Sequence, residues 1–447
     1  MSSPQELIAA CRGIKADDDL AHMFRQEVAR LLGRTNTNFP GAQPVSFAAR
    51  HIAELTRQDY YVMEKTDGIR FLMYLTREGP DKEIHYLIDR KNDYYYVPDL
   101  HFPAPDDPTY AKFHADTLLD GELVRDTYPN GKSELKYLVF DCLVMDGKSL
   151  MQRTLDKRLA YFKEMILKPY KQMYKEMPQE IQYRPFAVED KTTQFSYGVE
   201  MMFKEVIPRV KKLHGNDGLI FTCRSTPYKI GTDEHILKWK TPEENTIDFV
   251  LSIRWQEFDP DPSDPDQSPV IDYEAFPRAF ELLVYHGGND DYRPWGNLYL
   301  TPKEWNDLKV MNKPLQDAVV ECWLEPASSK TFSPHNNGTY TNGNQAHPQR
   351  WRFHRLREDK VHANHISTVE SVMESIQDAV SQDDLISAAP TIRDAWKRRQ
   401  TESAAGGRPA SGNAPALMQH QQSFQHQGHG ENGHKRKYEA DGVDAEG

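Results

Sequence analysis

A series of short apolar runs, each ended by a turn signal, constrains the fold of this chain more than any other feature. Six runs follow one another between residues 60 and 144: Tyr60–Lys65, Phe71–Thr76, Ile84–Asp89, Tyr94–Val97, Leu118–Val124 and Tyr137–Val144. Runs of this length, bounded by Gly, Pro, Asn or Asp, predict β-strands. Two more follow at Gly218–Cys223 and Ile236–Lys240, and helical patterns occupy Asp17–Gly33 and Leu155–Met177. The sequence therefore predicts an α+β domain that ends near Thr241.

A second group of strand-like runs, which follows this domain, predicts a second one. Its runs are short, apolar and separated by polar loops: Ile247–Leu251, Phe280–Tyr285, Ala318–Leu324 and Trp351–Lys360. Many short strands suit a small barrel such as an OB-fold. Helices at Ile366–Val380 and Ile392–Arg399 complete the folded part.

A chain of 447 residues is too long for one ordinary core, which also favours more than one domain. We expect an α+β domain with antiparallel sheets over residues 1–241 and an OB-fold barrel domain with C-terminal helices over residues 242–400. Residues 401–447 form a Gln-, His- and Gly-rich tail, a composition that predicts disorder, and its Lys435–Lys437 is a weak candidate for a nuclear import signal. The acidic, Pro-rich segment 259–269 is expected to be a solvated loop.

Composition excludes several classes of protein. The chain has no apolar run long enough to span a bilayer and no signal-peptide pattern, so we expect a soluble protein and no membrane partner. Its four cysteines form no Cys-x-x-Cys pair, which argues against a zinc site or a disulfide framework and favours a reducing compartment. The formal net charge of -12 disfavours tight binding along a long nucleic acid, so we expect such a substrate to be held by one end.

One string carries a candidate nucleophile, Lys65, within Glu-Lys-Thr-Asp-Gly-Ile-Arg at residues 64–70. By itself Lys-x-Asp-Gly is more typical of a β-hairpin than of an active site, because Asp-Gly is a strong two-residue turn signal. Asp-Gly recurs at Asp120-Gly121, Asp146-Gly147 and Asp217-Gly218. Hairpin turns alone could account for all four dipeptides.

The neighbouring motifs change this interpretation. In chain order they are Asp120–Leu123, Tyr137–Cys142, Asp217–Phe221, Ile236–Lys240 and Arg355–Lys360. A lysine that attacks phosphorus must be neutral, whereas free lysine keeps its proton up to about pH 10. Partial burial and nearby cations favour the neutral amine, and a metal ion near the nitrogen is a second route. Lys238 and Lys240 alternate along a predicted strand, so both point to one face and can supply those cations.

In this order the motifs resemble those of the covalent nucleotidyltransferases, the superfamily of DNA ligases, RNA ligases and mRNA capping enzymes. The resemblance covers residues 39–376 and is greatest to the guanylyltransferases of the fungal capping enzyme type, the α subunits. The details that favour capping over ligation are Phe39-Pro40-Gly41 with Gln43–Ser46, an aspartate at Asp217 where ligases usually carry glutamate, and Asn245–Phe249. The terminal motif of residues 357–360 is shared with DNA ligases.

The resemblance implies a two-step reaction. Lys65 attacks the α-phosphorus of GTP, releases pyrophosphate and keeps GMP, and the 5′-diphosphate end of a nascent mRNA then takes the GMP to form the GpppN cap. Arg357, Asp359 and Lys360 would grip the pyrophosphate. The two domains would close for the first step and open for RNA about a hinge at residues 241–245.

The resemblance also implies which residues bind the base and the sugar. Arg70 and Arg90 correspond to the cations that bind the sugar. Phe140 corresponds to the aromatic ring that stacks on guanine, although a core phenylalanine in an apolar strand remains an alternative. Lys191 corresponds to the lysine that reads guanine O6 and N7, a contact that Lys and Arg make best.

Phosphate and metal ligands follow from the same resemblance. Lys238 and Lys240 would hold the α-phosphate in both steps. Glu122 and Asp217 are the carboxylates implied for the ribose and for a divalent cation, either Mg²⁺ or Mn²⁺. A magnesium ion needs only one or two carboxylates beside phosphate oxygens and water.

Partners are implied as well. The chain lacks the Cys-x5-Arg pattern of the phosphatase-type domain that is fused to animal capping enzymes, so a separate RNA 5′-triphosphatase, a β subunit, is expected. Family resemblance adds the phosphorylated C-terminal tail of RNA polymerase II, the nascent mRNA 5′ end and a nuclear location.

Two alternatives stay open from the sequence. An ATP-dependent polynucleotide ligase would carry AMP on Lys65 instead of GMP. A non-enzymatic OB-fold module would bind nucleic acid without any covalent nucleotide, and Lys65 would then be an ordinary turn residue.

Overall fold

A computed structural model of the chain describes residues 4–241, 244–258, 270–288, 290–325, 327 and 348–405. The expected acidic loop at 259–269, the import-signal candidate and most of the predicted tail lie outside the described residues. Residues 1–397 form one compact unit, and residues 398–447 are a separate unit whose described part is the end of a helix. Among the described residues, no helix combines the length and the apolar character that crossing a bilayer requires.

Ten α-helices and several short helical turns occur in the described residues. The α-helices are α1 Pro4–Ala10, α2 Asp18–Leu31, α3 Arg50–Arg57, α4 Leu155–Tyr161, α5 Lys168–Glu176, α6 Val199–Met201, α7 Ile207–Val210, α8 Pro302–Val310, α9 Ile366–Gln377 and α10 Gln382–Ala405. The predicted helix at 155–177 is a continuous helical run, because the π-helical segment Phe162–Leu167 joins α4 to α5. The α2 helix begins where Asp17 accepts a hydrogen bond from the backbone N–H of Leu20.

Twenty β-strands are described. They are β1 Ile14–Lys15, β2 Ala42–Ser46, β3 Tyr60–Thr66, β4 Ile69–Arg77, β5 Glu83–Ile88, β6 Tyr94–Tyr96, β7 Thr117–Thr127, β8 Ser133–Met145, β9 Lys148–Ser149, β10 Ala187–Asp190, β11 Thr193–Phe195, β12 Asn216–Cys223, β13 Gly231–Trp239, β14 Thr246–Arg254, β15 Gln256–Glu257, β16 Ile271–Asp272, β17 Ala279–Tyr285, β18 Tyr292–Tyr299, β19 Val319–Glu325 and β20 Arg350–Leu356. Every strand-like run in the sequence corresponds to one of them.

Two sheets build the part of the molecule that carries Lys65. One has the order β1-β6-β5-β4-β7-β8-β10, with β9 beside β8, and the other has the order β11-β3-β12-β13-β2. The predicted antiparallel character is wrong for two pairs, because β10 runs parallel to β8 and β2 runs parallel to β13. Both pairs join strands that are distant along the chain, and the helical run between β8 and β10 provides the crossover that a parallel pair requires.

The third assembly is a closed five-stranded barrel, as the second group of runs predicted. Its order is β14-β17-β18-β20-β19, with β18 and β20 parallel. The α8 helix connects β18 to β19 and begins with a capping box formed by Thr301 and Glu304.

The two C-terminal helices pack on different bodies. Val369 of α9 lies in the core of the barrel, whereas Leu385, Ala389 and Ile392 of α10 lie in the core beneath the five-stranded sheet. The indole N–H of Trp239 also donates to the carbonyl oxygen of Val380 at 2.8 Å. By packing, α10 therefore belongs with the sheets of residues 1–241, although the sequence grouped both helices with the barrel. Hydrophobic periodicity shows that a helix is packed, not what it packs against.

The hairpin interpretation of the Asp-Gly dipeptides is wrong for three of the four, all of which lie in described residues. Asp146-Gly147 does turn the chain from β8 into β9, with φ of 47° and 75°. Asp120-Gly121 lies inside β7, and Asp217-Gly218 lies inside β12. Asp67-Gly68 leads from β3 to β4, which belong to different sheets. The Lys65 string is thus a crossing between the two sheets.

Close packing explains the glycine at this crossing. A Cβ atom on Gly68 would lie 2.5 Å from a methyl carbon of Val124 and 2.8 Å from the carbonyl oxygen of Leu123, both on β7. Glycine therefore lets β3 pass directly against the neighbouring sheet, which brings Lys65 to the space between the two sheets.

Candidate active site

A cleft with a cavity volume of about 130 Å³ opens between the two sheets. Its walls include six of the residues that the sequence assigned to nucleotide chemistry, namely Lys65, Arg70, Arg90, Glu122, Phe140 and Lys191. They come from β3, β4, β7, β8 and the two loops after β5 and β10. The fold therefore brings together residues that are up to 126 positions apart in the chain (191 minus 65).

Lys65 is held by an ion pair at the edge of this cleft. Its Nζ lies 2.6 and 2.8 Å from the two carboxylate oxygens of Asp217, and Lys240 Nζ lies 2.9 Å from the same carboxylate. Burial would raise the pKa of Asp217, but the two ammonium groups outweigh it and hold that pKa below its usual value. Asn216 also donates to the backbone carbonyl of Lys65 at 3.1 Å. One carboxylate, shared between two lysines, therefore orients Lys65 Nζ and balances part of their positive charge.

Lys238 completes a group of three lysines. In the register of the five-stranded sheet Lys238 lies opposite Ile220, and Ile220 lies opposite Met63, so their side chains share the face of Lys65. The pKa of Lys238 is lowered, first by burial and then by repulsion from Lys240 and Lys65. The sequence suggested that cations lie close to Lys65, and the structure places Lys238 and Lys240 there. The carboxylate of Asp217 balances part of their positive charge.

Arg70 is engaged almost completely by the cleft wall. Its guanidinium forms a pair of hydrogen bonds to Asp120, at 2.9 and 2.6 Å, and also donates to the carbonyl oxygen of Ala42. The hydroxyl of Tyr228 donates to Asp120 at 2.7 Å, and Asp120 is fully buried. Burial opposes the charge of Arg70, but the Asp120 carboxylate outweighs burial and raises the pKa of Arg70. This arginine therefore fixes the wall through a bidentate, charge-assisted pair.

Arg90 lines the same cleft but, unlike Arg70, is not held by any carboxylate that the structure describes. Within the described residues its side chain forms no hydrogen bond or ion pair, and burial followed by repulsion from Arg70 lowers its pKa. A guanidinium without an anionic partner in a concave site is available for a ligand.

Glu122, Lys191 and Phe140 lie beside Arg70 on the wall formed by the sheet of β4, β7, β8 and β10. Lys191 is buried, and its Nζ lies 2.9 Å from a carboxylate oxygen of Glu122. Phe140 is the extra residue of a β-bulge, because Asp141 pairs with Asp120 and Val139 pairs with Gly121. A bulge redirects a side chain, and here the ring lines the cleft with Arg70 and Lys191 at 5.5 and 5.7 Å from its centroid. Phe140 is thus half-buried at the cleft, which contradicts the alternative of an ordinary core phenylalanine.

The predicted pyrophosphate residues are elsewhere. Among the described residues, the lining of the Lys65 cleft does not include Arg357, Asp359 or Lys360. They follow β20 on the barrel, where both Arg357 and Lys360 bind the buried carboxylate of Asp248. Asp359 is exposed and pairs with Arg357 at 2.8 Å, and this contact lowers the pKa of Asp359. Asp359 therefore holds the guanidinium of Arg357 in this structure, and its contact with pyrophosphate stays a prediction.

Sequence reasoning missed three residues that hold these groups. Asp120 and Tyr228 fix Arg70, and Asp248 fixes Arg357 and Lys360. Asp120 and Asp248 were noticed only as parts of motifs, and a carboxylate in an otherwise apolar strand was the available signal. Tyr228 gave no signal, since it lies in an irregular segment between β12 and β13.

The carboxylates near Lys65 fit a divalent cation that is held mainly by phosphate. The described residues contain no group of three or more His, Cys, Asp or Glu side chains arranged to bind a metal by themselves. Burial raises the pKa of Asp67, and repulsion from Asp217 raises it further. Such crowded carboxylates are relieved by a cation, and Mg²⁺ readily takes its remaining ligands from phosphate and water.

The sequence of the chain is similar to those of mRNA capping enzymes. The family model "mRNA capping enzyme, catalytic domain" matches residues 8–242, and "mRNA capping enzyme, C-terminal domain" matches residues 244–386. The chain is 49% identical to "mRNA-capping enzyme subunit alpha" of Neurospora crassa, over 87% of this chain and 93% of that protein. It is 44% identical to the protein of the same name in Schizosaccharomyces pombe, over 88% and 90% of the two chains. The corresponding protein of Yarrowia lipolytica is 43% identical, over 87% and 91%.

Proposed function

The chain belongs to the mRNA capping enzyme family, and we propose that it forms the cap through a covalent bond between Lys65 Nζ and GMP. Its activity is that of an mRNA guanylyltransferase, which transfers GMP from GTP to the 5′-diphosphate end of nascent mRNA. The observation that supports Lys65 as nucleophile is its position at the edge of the cleft, oriented by Asp217 and next to two further lysines.

The reaction consists of two displacements at one phosphorus. In the first, Lys65 Nζ bonds to the α-phosphorus of GTP, the bond to the β-phosphate oxygen breaks, and pyrophosphate and one amine proton leave. In the second, a terminal oxygen of the RNA 5′-diphosphate bonds to the same phosphorus, the N–P bond breaks, and Lys65 regains a proton. Lys238 and Lys240 are placed to neutralise the charge that develops on the phosphoryl oxygens.

The guanine would lie against the face of Phe140, with Lys191 beside it. The ammonium of Lys191 has three donors, of which Glu122 takes one, so two remain for acceptors such as guanine O6 and N7. We assign the sugar contact mainly to Arg90, because Arg70 is engaged by Asp120, Ala42 and Tyr228.

Arg90→Ala and Arg70→Ala are expected to separate binding from stability. Arg90→Ala removes an unpaired cation, so the free energy of unfolding should change by less than about 0.5 kcal/mol, whereas GTP affinity should fall roughly 10-fold or more. Arg70→Ala leaves Asp120 as a buried carboxylate without its cation and should destabilise the fold by about 3–5 kcal/mol. Chemical denaturation and the GTP concentration dependence of adduct formation measure the two effects. Equal destabilisation by both changes would contradict these roles.

Glu122 and Asp217 are our candidates to hold the divalent cation, which as a Lewis acid supplies positive charge at the phosphates. Each carboxylate now binds a lysine. A cation at Asp217 would therefore compete with Lys65 and Lys240 for the same oxygens and would favour release of the nucleophile from its ion pair.

Closure of the barrel over the cleft is part of the proposal. We assign Arg357 and Lys360 to the pyrophosphate, held in readiness by Asp248 and, for Arg357, by Asp359. The predicted hinge at residues 241–245 fits the end of β13 and the start of β14, although residues 242 and 243 lie outside the described residues. We further propose that the closed barrel is an OB-fold, on its five strands.

The relatives are named as alpha subunits, which implies a partner subunit in a capping complex. We propose that this partner is the RNA 5′-triphosphatase that produces the 5′-diphosphate acceptor. A nuclear location and recruitment by the phosphorylated tail of RNA polymerase II follow from the same role in mRNA processing.

A labelling experiment tests the proposed cargo. The protein is incubated with divalent cation and either α-labelled GTP or α-labelled ATP, and covalent label is measured on denaturing gels. We expect label from GTP and little or none from ATP, because Lys191 offers donors to guanine acceptors and adenine presents an amino group there. Label from ATP alone would restore the ligase alternative. Nucleic-acid binding without label from either nucleotide would restore the non-enzymatic alternative, which the family match now disfavours.

A further inference from the structure

A row of five charged side chains begins at Glu64, the neighbour of Lys65 on β3. Successive charged atoms are 3.5 Å apart for Glu64 and His214, 2.6 Å for His214 and Asp126, 3.1 Å for Asp126 and Lys136, and 3.2 Å for Lys136 and Glu189. Glu64 belongs to the five-stranded sheet, whereas Asp126, Lys136 and Glu189 belong to the other sheet. His214 therefore joins the two sheets at the point where the Lys65 string crosses between them.

The surroundings of His214 favour its charged form. The side chains of His214, Asp126 and Glu64 are 8%, 2% and 5% exposed. Burial would lower the pKa of His214, but Asp126 and Glu64 outweigh it and raise that pKa to about 9. The ring nitrogen Nδ1 is hydrogen-bonded to Asp126 at 2.6 Å, and Nε2 faces Glu64 at 3.5 Å without forming a hydrogen bond. Only the imidazolium carries a proton on both nitrogens. His214 also lines a second cleft beside the Lys65 string, and the other charged residues of that cleft are Asp67 and Arg125.

The residues after His214 hold the nucleophile. The carbonyl of residue 215 accepts the backbone N–H of Asp67 at 2.9 Å. The amide of Asn216 donates to the carbonyl of Lys65 at 3.1 Å, and the carboxylate of Asp217 binds the Lys65 amine. One short segment therefore fixes both the backbone and the amine of Lys65, and its first residue is the buried imidazolium.

We propose that His214 is a positioning residue, whose imidazolium, clamped between Glu64 and Asp126, fixes segment 214–217 and so aims the Lys65 amine at GTP. The inference rests on Lys65 as the nucleophile. Loss of the proton on Nε2 of His214 would leave the buried side chain of Glu64 facing an uncharged ring, and the segment would shift to relieve it. Because a small displacement of a nucleophile lowers the reaction rate strongly, we expect loss of the His214 charge to slow adduct formation.

The direction of the pH dependence follows from the raised pKa. The folded-state pKa of about 9 exceeds the ordinary value of about 6.5. The stabilising contribution of the imidazolium is therefore fully present below about pH 6.5 and is lost as pH rises through about 9.

The test compares His214→Gln with a matched control, His114→Gln. His114 is also a buried histidine paired with an aspartate, at 3.0 Å from Asp146. Burial would lower the pKa of His114, but the Asp146 carboxylate outweighs burial and raises it. It lies outside the linings of both clefts near Lys65. At pH 7.5 and saturating labelled GTP, we expect His214→Gln to slow single-turnover adduct formation by about 10-fold or more with GTP affinity changed less than about 2-fold. His114→Gln should destabilise the fold without slowing the adduct.

The pH series provides the readout that a purely structural histidine would not move. The ratio of the wild-type rate to the His214→Gln rate cancels effects common to both, such as Lys65 ionisation. We expect this ratio to fall toward 1 as pH rises through about 9, and the ratio for His114→Gln to stay flat. His214→Lys, which keeps a cation, should recover part of the rate.

A ratio near 1 at pH 7.5, or one independent of pH, would overturn the proposal. If His214→Gln does not fold, Glu64→Gln serves in its place. Removing one carboxylate beside His214 should lower its pKa, so the adduct-formation rate should begin to fall at a lower pH than in the wild-type protein. An unchanged pH dependence of that rate counts against His214. Absence of any GMP adduct on the wild-type protein would instead refute Lys65 as the nucleophile, so the two failures are distinguishable.

Discussion

Lys65→Ala is expected to abolish the covalent GMP adduct. No other amine in the described residues has the same combination of cleft exposure and bidentate contact with Asp217, so none is placed to substitute for it. Removal of a nucleophile costs on the order of 10⁴-fold or more in rate, which is complete loss of label on a denaturing gel. Cap formation on diphosphate-ended RNA should disappear to the same extent.

Lys65→Arg is the informative control. The guanidinium keeps the charge and can keep the pair with Asp217, but it does not lose its proton in proteins and cannot attack phosphorus. Both variants should retain cooperative unfolding, because Asp217 keeps Lys240 as a partner. Adduct on either variant would show that the nucleophile is another residue, whereas unfolding of both would point to a structural lysine.

Lys360→Ala is expected to affect the two steps differently. Lys360 and Arg357 are the barrel cations assigned to the pyrophosphate, which is present only when the adduct forms from GTP. Loss of a charge-assisted contact in the transition state costs about 2–4 kcal/mol, roughly 30- to 1000-fold in rate. Transfer of GMP to RNA involves no pyrophosphate and should be nearly unaffected.

Capped RNA allows the second step to be measured alone. In the reverse of that step the enzyme takes GMP from GpppN-RNA and releases diphosphate-ended RNA, so Lys360→Ala should form the adduct from capped RNA but not from GTP. Arg350→Ala is the matched control, since Arg350 also lies on the barrel and is ion-paired, to Glu325 at 2.6 Å, and should keep both reactions. Equal loss from GTP and from capped RNA would refute closure of the barrel for the first step.

Much of this fold could be predicted because it depends on local patterns. Alternation of apolar residues located the strands, and the α2 helix followed from its spacing and from the stop at Gly33, which has a φ of 66°. The barrel followed from a succession of short strands. The residues around the cleft were implied by the resemblance to the covalent nucleotidyltransferases, and their roles remain predictions.

What the sequence did not show depends on tertiary contacts. Asp67-Gly68 has the chemistry of a hairpin turn, yet Gly68 is needed for contact with β7 and joins two sheets. Phe140 faces the cleft only because one extra residue interrupts the register of β8. Arg70 resembled a ligand-binding cation, and nothing local indicates that Asp120 occupies it. Such features arise from residues far apart in the chain, which local propensity does not register.

The packing of α10 has a consequence for how this enzyme moves. The barrel is an insertion: the chain leaves the catalytic body after β13 and returns to it near Val380, which Trp239 contacts at 2.8 Å. With entry and exit side by side, the proposed closure would rotate the barrel about these two neighbouring connections, because a double connection restricts the motion more than a single tether does. Lys238, in β13, and Lys240, just after it, lie beside the connections and line a pocket with Val380. We therefore expect closure to displace these lysines little, so that they could hold the phosphoryl group while its two partners are exchanged.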